Sequence, residues 1–538
     1  MARAGHDRRR REAAAGPALR EAHAERRPLV VMADVPLFVV LMGGVALLML
    51  LPAAHGLATA RPGEAGVFLG SAGLLAVLTL LLALATQRPG SAGRARGRLL
   101  SLLGAFVVLP VFLAVPLQVA ATGVSFADAW FEMISALTTT GATLFAPEAL
   151  SPTLHLWRAT VGWAGGFLMW VAAIAVLAPM NLGGYEVLSN APAGAPERSD
   201  RPGRRREFRV RRHARRLAPI YGGLTGVLWL GLVILGESPT IAACHAMSII
   251  ATSGISPLGG LEAARPPGSD GLAGAGLPGE ALMLFFLVFA LTRATFSREA
   301  GTTRLERLKR DPELGLGLAL VLGVTGFLFL RHWLGAWEFE RVWDLPATLA
   351  ALWGALFTTF SFLTTTGFVS AEWDIATSWS GLETPGVVLL GLALIGGGVA
   401  TTAGGVKLLR AYALYKHGAR EMSALVHPSS VGGAGAQARR LRREGAYIAW
   451  IFFMLFALSV AVVVCLLAAA GVPFDAAQVL TVAALSNTGP LAGVVLDAPI
   501  PYAELSGAAK AIFAASMVLG RLETLAIIAL LNPAFWRR

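Results

Sequence analysis

Long apolar stretches separated by short polar ones set the plan of this chain. About 20 apolar residues are needed to cross a bilayer as a helix. Such stretches occur at 29–53, 66–86, 99–122, 155–180, 217–236, 280–297, 313–334, 383–416, 445–471 and 508–531. They predict ten spanning helices with both termini on the cytoplasmic side. Four further apolar segments, 125–137, 239–251, 346–364 and 474–486, lie between the spans and read as too short to cross. Irregular backbone at membrane depth is tolerated only where protein covers it or it lines a wet cavity. These four segments are therefore expected to be re-entrant pore helices.

Each ends in a hydroxyl-rich motif closed by glycine: Thr138, Thr139, Thr140 and Gly141; Thr252, Ser253 and Gly254; Thr364, Thr365, Thr366 and Gly367; Ser486, Asn487, Thr488 and Gly489. The glycines are 113, 113 and 122 residues apart. One such motif alone is as well read as a helix cap or a turn. Four in register, each after an apolar half-helix, predict a ring around one axis. Thr139, Thr140, Gly141, Thr252, Ser253, Gly254, Thr365, Thr366, Gly367, Asn487, Thr488 and Gly489 are thus candidate selectivity-filter residues. Glycine permits the positive φ that turns successive carbonyls toward an axis, and rings of carbonyls can replace an ion's hydration shell. Oxygen ligands without a carboxylate ring suit a monovalent cation, since Asp128 and Glu132 occur in the first segment only.

The predicted fold is an all-α polytopic membrane protein with four repeats of helix, pore loop and helix in a pseudo-fourfold arrangement, plus an N-terminal two-helix hairpin. The boundaries expected are a basic tail 1–28, a hairpin 29–90, and repeats 97–185, 216–298, 312–417 and 445–533.

The third repeat's last span, 383–416, is longer than a crossing requires and carries Gly396, Gly397, Gly398, Gly404 and Gly405. Glycine costs about 1 kcal/mol relative to Ala at a helix position, so this segment should break into a loop; a close-packing seam of small residues is the alternative. Just below a filter such a loop, 396–405, could block ions. Arg521 lies about 20 Å into the last helix at 1.5 Å per residue, too deep to snorkel outward. It is a candidate second gate element able to hydrogen-bond the loop's carbonyls, or else a structural tie between helices. Glu523, two residues on, faces nearly the opposite way and is expected to be a poor partner for it. Lys407 reads as a topology charge, and His245 as a packing or polar contact.

Composition narrows the class. Of the 538 residues 55% are hydrophobic and only 14% charged, with mean hydropathy +0.63, against about a quarter charged in soluble proteins. The net charge of +12 sits in blocks: Arg8 to Arg11, Arg94 to Arg98, Arg204 to Arg216, Arg304 to Arg310 and Arg439 to Arg443. All fall on one side of the predicted spans, as cytoplasmic basic residues do, so they read as topology determinants, with no nucleic-acid partner expected. Acids at Glu148, Glu262, Asp270, Glu372, Asp374, Glu383, Asp497 and Glu504 fall on the other side and would concentrate cations there. Cys244 and Cys465 lie apart in apolar surroundings and propose neither disulfide nor metal. With no HExxH, GxSxG or paired His at ligand spacing, no enzyme activity is expected.

Several ordered segments carry a family resemblance: Ser135 to Thr143; Leu156, Trp157 and Arg158; Gly165 and Gly166; Phe362 to Phe368; Ile395 to Lys407; Arg420 to Pro428; Leu485 to Pro490; Gly520 to Glu523; and Pro533 to Arg537. With these the chain resembles the membrane subunit of the Trk/Ktr/HKT superfamily of potassium transporters. The N-terminal hairpin makes it similar to the bacterial TrkH type rather than the KtrB type. The resemblance implies potassium uptake across the bacterial inner membrane through a pseudo-fourfold pore in each subunit of a homodimer. It also implies a cytoplasmic TrkA-like ring of nucleotide-binding regulatory subunits, so that a nucleotide (ATP/ADP or NAD) belongs to the partner, while this chain has no covalent cofactor and takes K⁺ as transported ion. By that likeness Gly141, Gly254, Gly367 and Gly489 are the filter glycines and the 396–405 loop is the gate. The second motif departs from the family, which more often has a pair of glycines where this chain reads Gly254, Ile255 and Ser256. The basic linkers 198–216 and 439–443 are the expected docking surfaces for the ring. A sodium- or proton-coupled secondary transporter of another cation or small solute stays open, although such transporters usually pair inverted repeats.

Overall fold

The computed structural model describes residues 36–86, 95–178, 204–261, 275–292, 311–335, 345–427 and 443–523. Every element among them is a helix or a helical turn. The N-terminal hairpin comprises α1 (Leu37–Leu48), α2 (Leu50–Ala58) and α3 (Pro62–Ala85). The two arms close on Gly56, where a β-carbon would lie 3.2 Å from the Ala65 nitrogen. His55 ties the hairpin to the rest, sharing hydrogen bonds with Thr153 at 3.1 Å and Thr240 at 3.2 Å.

The remaining helices follow the predicted order. They are α4 (Ala95–Ala120), the short α5 (Phe126–Leu137) and α6 (Pro152–Ala172); then α7 (Arg204–Ile234), the short α8 (Pro239–Ala251) and α9 (Gly276–Leu287). Next come α10 (Pro312–Gly335), α11 (Leu345–Leu363), α12 (Trp373–Ser380), α13 (Gly386–Ile395) and α14 (Leu408–Val426). The last are α15 (Arg443–Ala469), the short α16 (Phe474–Leu485), α17 (Leu491–Val494) and α18 (Gly507–Leu522). Local chemistry fixes several starts. Ser125, Ser151 and Ser506 cap α5, α6 and α18 by accepting from backbone N–H groups, and Pro occupies the first turn of α6 and α8, where its missing N–H costs nothing.

Among the described residues eight helices are long and apolar enough to cross a membrane, which makes this a multi-pass membrane protein. Seven coincide with predicted spans. The eighth is Leu345–Leu363, read from sequence as too short; its additional turns lie at its N-terminal end, and its C-terminus ends as the other three short helices do. Of the remaining predicted spans, 383–416 is broken into α13 and α14; α9 ends at Leu287 and α18 at Leu522, and the ends of the predicted spans 280–297 and 508–531 lie outside the described residues. Large apolar side chains such as Leu47, Leu74 and Ile234 are about 70% or more exposed, as expected of surfaces facing lipid. The centre is packed with aromatics: Trp157 meets Phe68 edge-on, and Phe131 stacks on Phe513.

Small residues let the long helices approach the short ones. A β-carbon at Gly165 would strike the Leu137 carbonyl, and one at Gly520 the Leu485 carbonyl. These are the last residues of α5 and α16, so α6 and α18 each buttress the tip of a short helix.

Candidate functional site

The four short helices end in the same way. In each, the second motif residue adopts the left-handed conformation: Thr139 (φ 55°), Thr252 (51°), Thr365 (57°) and Asn487 (55°). Its N–H and that of the next residue reach back to the helix: Thr139 to Ala136 and Thr140 to Ser135, Thr252 to Ile249 and Ser253 to Ser248, Thr365 to Phe362 and Thr366 to Ser361, Asn487 to Ala484 and Thr488 to Ala483, all 2.8–3.2 Å. This is a Schellman cap without its usual glycine. β-Branched residues rarely take positive φ, and such strain concentrates at functional sites. The cap reading of the motif holds at all four helix ends, and each cap turns the chain out of its helix toward the neighbouring motifs.

The motifs meet in chain order. A β-carbon at Gly141 would strike the Ser253 carbonyl oxygen, one at Gly254 the Thr366 carbonyl oxygen, and one at Gly367 the Pro490 ring. At Gly489 the N–H donates to the Thr140 carbonyl at 2.6 Å. First contacts second, second third, third fourth and fourth first, so all twelve candidate filter residues come together. Hydroxyls pair within the motifs: Thr138 with Thr140 (2.8 Å), Thr364 with Thr366 (3.1 Å) and Ser486 with Thr488 (3.2 Å). The second motif has Ala251 at the corresponding position, and Ser248 takes over, pairing with Ser253 at 3.1 Å.

The fourth motif departs from expectation. Gly141, Gly254 and Gly367 have φ of 75°, 64° and 82°, whereas Gly489 does not adopt a positive φ. The cause is Pro490, whose ring restricts the residue before it to extended conformations. The Gly489 carbonyl accepts the Tyr502 hydroxyl at 2.7 Å. Asn487 Nδ2 donates to Thr140 Oγ1 at 3.0 Å and to the Met517 carbonyl at 2.9 Å, tying the fourth motif to the first and to α18.

Below this ring the chain between α13 and α14 is irregular, as its glycines predict. Gly396, Ala400, Gly405 and Lys407 have φ of 73°, 57°, 75° and 87°. The segment is tied on several sides. Gly404 N–H donates to Thr365 Oγ1 at 2.6 Å, and Thr402 Oγ1 to the Ile250 carbonyl at 3.3 Å. A β-carbon at Gly404 would strike the Ser486 carbonyl. The loop thus touches the ends of the second, third and fourth short helices. Gly398 N–H donates to the Ala290 carbonyl at 3.0 Å and Val399 N–H to Glu313 Oε1 at 2.8 Å. Arg521, 3% exposed, donates from Nη1 to the Thr402 carbonyl at 2.7 Å; its Nε and Nη2 have no hydrogen-bond partner among the described residues.

The neighbouring charges sort themselves. Glu523 pairs with Arg410 at 2.6 Å rather than with Arg521, and the Arg410 guanidinium lies 3.6 Å over the Phe452 ring. Lys407, expected as a topology charge, is instead buried with its ammonium on the Ala403 carbonyl; left-handed backbone at Lys407 turns the side chain back onto the loop. A small cavity beside Thr401 and Thr402 is walled by Trp170, Tyr221, Ile249 and Phe286.

Other expectations divide. Arg212, Arg215 and Arg216 are exposed in the first half of α7, while the side chains of the other named arginines in that block, residues 439–442 and the side chain of Arg443 are outside the described residues. Among the acids, Glu148, Asp374, Glu383, Asp497 and Glu504 are exposed but Glu372 is buried, and Glu262 and Asp270 fall outside the described residues. Cys244 is buried, Cys465 exposed, and both are free. Sequence reading passed over Glu313, Glu280, Glu237 and the role of Asn487 as a strut; a lone carboxylate at the edge of an apolar segment was the available signal for Glu280 and Glu313.

A multi-pass protein, all-helical among the described residues, in which four identically capped helices, three of them too short to cross, converge beside a glycine-rich loop is the architecture of a membrane cation transporter. Comparison with known proteins agrees. The TrkH family model, described as cation transport protein, matches residues 318–537. The Trk system potassium uptake protein TrkH of Salmonella typhimurium is 32% identical over 413 residues, 76% of this chain and 79% of that protein. TrkG of Escherichia coli K12 is 26% identical over 467 residues, 82% of this chain and 86% of that protein. The crystal structure of the potassium transporter TrkH from Vibrio parahaemolyticus superposes with a TM-score of 0.75 at 26% identity, covering 94% of this chain and 99% of that one. The chain belongs to the TrkH family.

Proposed function

We propose that this chain carries potassium into the bacterial cell through a channel-like pore, with the four motifs as its selectivity filter and the 396–405 loop, held by Arg521, as its gate. The observation that carries the reading is the ring closed in chain order by four identically capped half-helices. It sets the carbonyls of Thr140, Ser253 and Thr366 each against the glycine of a neighbouring motif, and the relatives named above are potassium uptake proteins. The repeats 97–185, 216–298, 312–417 and 445–533 are its units, related by pseudo-fourfold symmetry. The negative ends of the short helices' dipoles favour a cation just below the filter, where Arg521 and the loop oppose its passage. The functional unit is a homodimer in the inner membrane with its termini in the cytoplasm. A TrkA-like nucleotide-binding ring docks on the cytoplasmic arginines, of which Arg212, Arg215 and Arg216 are exposed.

The test is uptake of potassium and sodium into liposomes by the wild type and by Gly367→Ser. A side chain at residue 367 would meet the Pro490 ring at 2.8–3.0 Å with φ at 82°. Potassium-preferring flux that collapses or shifts toward sodium in the folded variant supports the reading. Absence of cation flux, even with the loop shortened, rejects it.

A further inference from the structure

Nine positions before each filter glycine stand Glu132, His245, Thr358 and Leu480. The first three reach forward to the outward-running segment that follows the glycine. Glu132 Oε2 accepts the Leu144 N–H at 3.1 Å while Oε1 pairs with Arg158 at 2.6 Å. His245 Nε2 bonds the Ser256 hydroxyl at 2.9 Å while Nδ1 faces Glu237 at 2.6 Å. Thr358 Oγ1 accepts the Ser370 N–H at 3.2 Å. The fourth position is apolar, and there the Tyr502 hydroxyl on the Gly489 carbonyl does the holding.

The third segment has an additional brace, and it comes from the preceding repeat. Glu280, near the start of α9, accepts the Ser370 hydroxyl at 2.7 Å and the Trp353 indole N–H at 2.8 Å on Oε2, and the Ala371 N–H at 2.8 Å on Oε1. It is 4% exposed, and no basic side chain among the described residues pairs with it. Glu132 and Glu237 face Arg158 and His245, so Glu280 differs from them in being held by neutral donors alone. A carboxylate can accept all three bonds, whereas a glutamine has one acceptor oxygen and turns an NH₂ toward a donor.

We propose that Glu280 is a specificity-determining positioning residue: by clamping Ser370 and Ala371 it fixes the third filter segment at the distance from the axis that suits potassium, and so sets the preference over sodium. The inference rests on the pore reading above. Carbonyl ligands discriminate between ions of equal charge only through how many oxygens converge and how far they can follow a smaller ion inward. The clamped residues lie three and four positions beyond Gly367, beside the level held in the first two segments, where Glu132 takes the residue three beyond Gly141 and His245 the residue two beyond Gly254. Glu280 itself touches no ion; it acts through the strand.

The experiment compares wild type, Glu280→Gln and Ser370→Ala in proteoliposomes, measuring potassium uptake, its half-saturating concentration and its competition by sodium. Loss of hydrogen bonds to a charged acceptor is expected to lower the potassium-to-sodium preference about tenfold in Glu280→Gln. Ser370→Ala, which removes the hydroxyl's bond to Glu280 and its acceptance of the Glu372 N–H at 3.2 Å but leaves the Ala371 and Trp353 bonds to Glu280, should lower it several-fold in the same direction, with maximal flux at saturating potassium within about twofold of wild type in both. Should Glu280→Gln not fold, Ser370→Ala decides. Flux of both ions falling in proportion with an unchanged preference would make Glu280 merely structural and overturn the proposal. Wild-type liposomes without potassium flux would overturn the pore reading, and this inference with it.

Discussion

Arg521 on the last described helix donates a 2.7 Å hydrogen bond to the carbonyl of Thr402, 119 residues earlier in the chain. One end of this contact belongs to a rigid helix, the other to a loop whose glycines keep it from being helical. The guanidinium is buried and two of its three nitrogens, Nε and Nη2, are unpartnered among the described residues, a costly arrangement that persists only where the site has another use. Under the proposed function that use is to fix the loop and to place a positive charge in the ion path.

Arg521→Ala is accordingly expected to raise potassium flux. A hydrogen bond from a charged donor is worth about 1.5–3 kcal/mol, so the closed population should fall by about tenfold or more. Rubidium uptake into proteoliposomes measures it. Arg521→Lys, which keeps the charge but loses the fork geometry, should fall between; flux at or below the wild-type level in folded Arg521→Ala would remove Arg521 from the gate.

Gly404→Ala tests the seat of the loop. Its new methyl would meet the Ser486 carbonyl, so the loop cannot rest where it does, and both higher flux and a lower melting temperature are expected. Gly493→Ala, where nothing lies within 4 Å of a β-carbon, should change neither. Equal behaviour of the two variants would mean that the loop does not bear on the filter.

Glu523→Gln is predicted to destabilise the fold by about 3 kcal/mol, the scale for breaking a buried ion pair. Arg410 keeps its bond to the Val406 carbonyl and its place over Phe452 but loses its carboxylate. Thermal unfolding in detergent should shift down by several degrees; a melting temperature equal to wild type would show that Glu523 is dispensable for holding α14 to α18.

For Asn487→Ala the expectation is a several-fold loss of potassium preference with flux retained, since two hydrogen bonds of about 1 kcal/mol each hold the fourth motif to Thr140 and Met517. Competition of rubidium uptake by sodium reads this out, and an unchanged preference would confine Asn487 to capping α16.

Much of this architecture was legible in the sequence because the membrane makes hydropathy and length nearly sufficient. The short helices end at Leu137, Ala251, Leu363 and Leu485, within a residue of where the apolar runs meet the motifs. The broken helix was legible in Gly396 to Gly405 because five glycines in ten residues make a helix costly there, and the loop's tertiary contacts agree with that preference instead of overriding it. What escaped was pairwise. Nothing in local sequence joins Glu280 to Ser370 or Thr365 to Gly404, contacts made across 90 and 39 residues. Lys407 was misread because a basic residue at the end of an apolar run is normally a topology signal, and its positive φ is invisible in composition. The loss of left-handed geometry at Gly489 could have been foreseen from Pro490.

The most direct test of the central claim, that the four motifs together form a potassium site, is to locate the ion. Crystals grown in rubidium or thallium salts should give an anomalous peak on the axis bounded by the carbonyls of Thr140, Ser253, Thr366 and Thr488, and sodium should not displace it at equal concentration. Well-ordered crystals with no peak there, or with the ion bound outside the ring, would contradict the account.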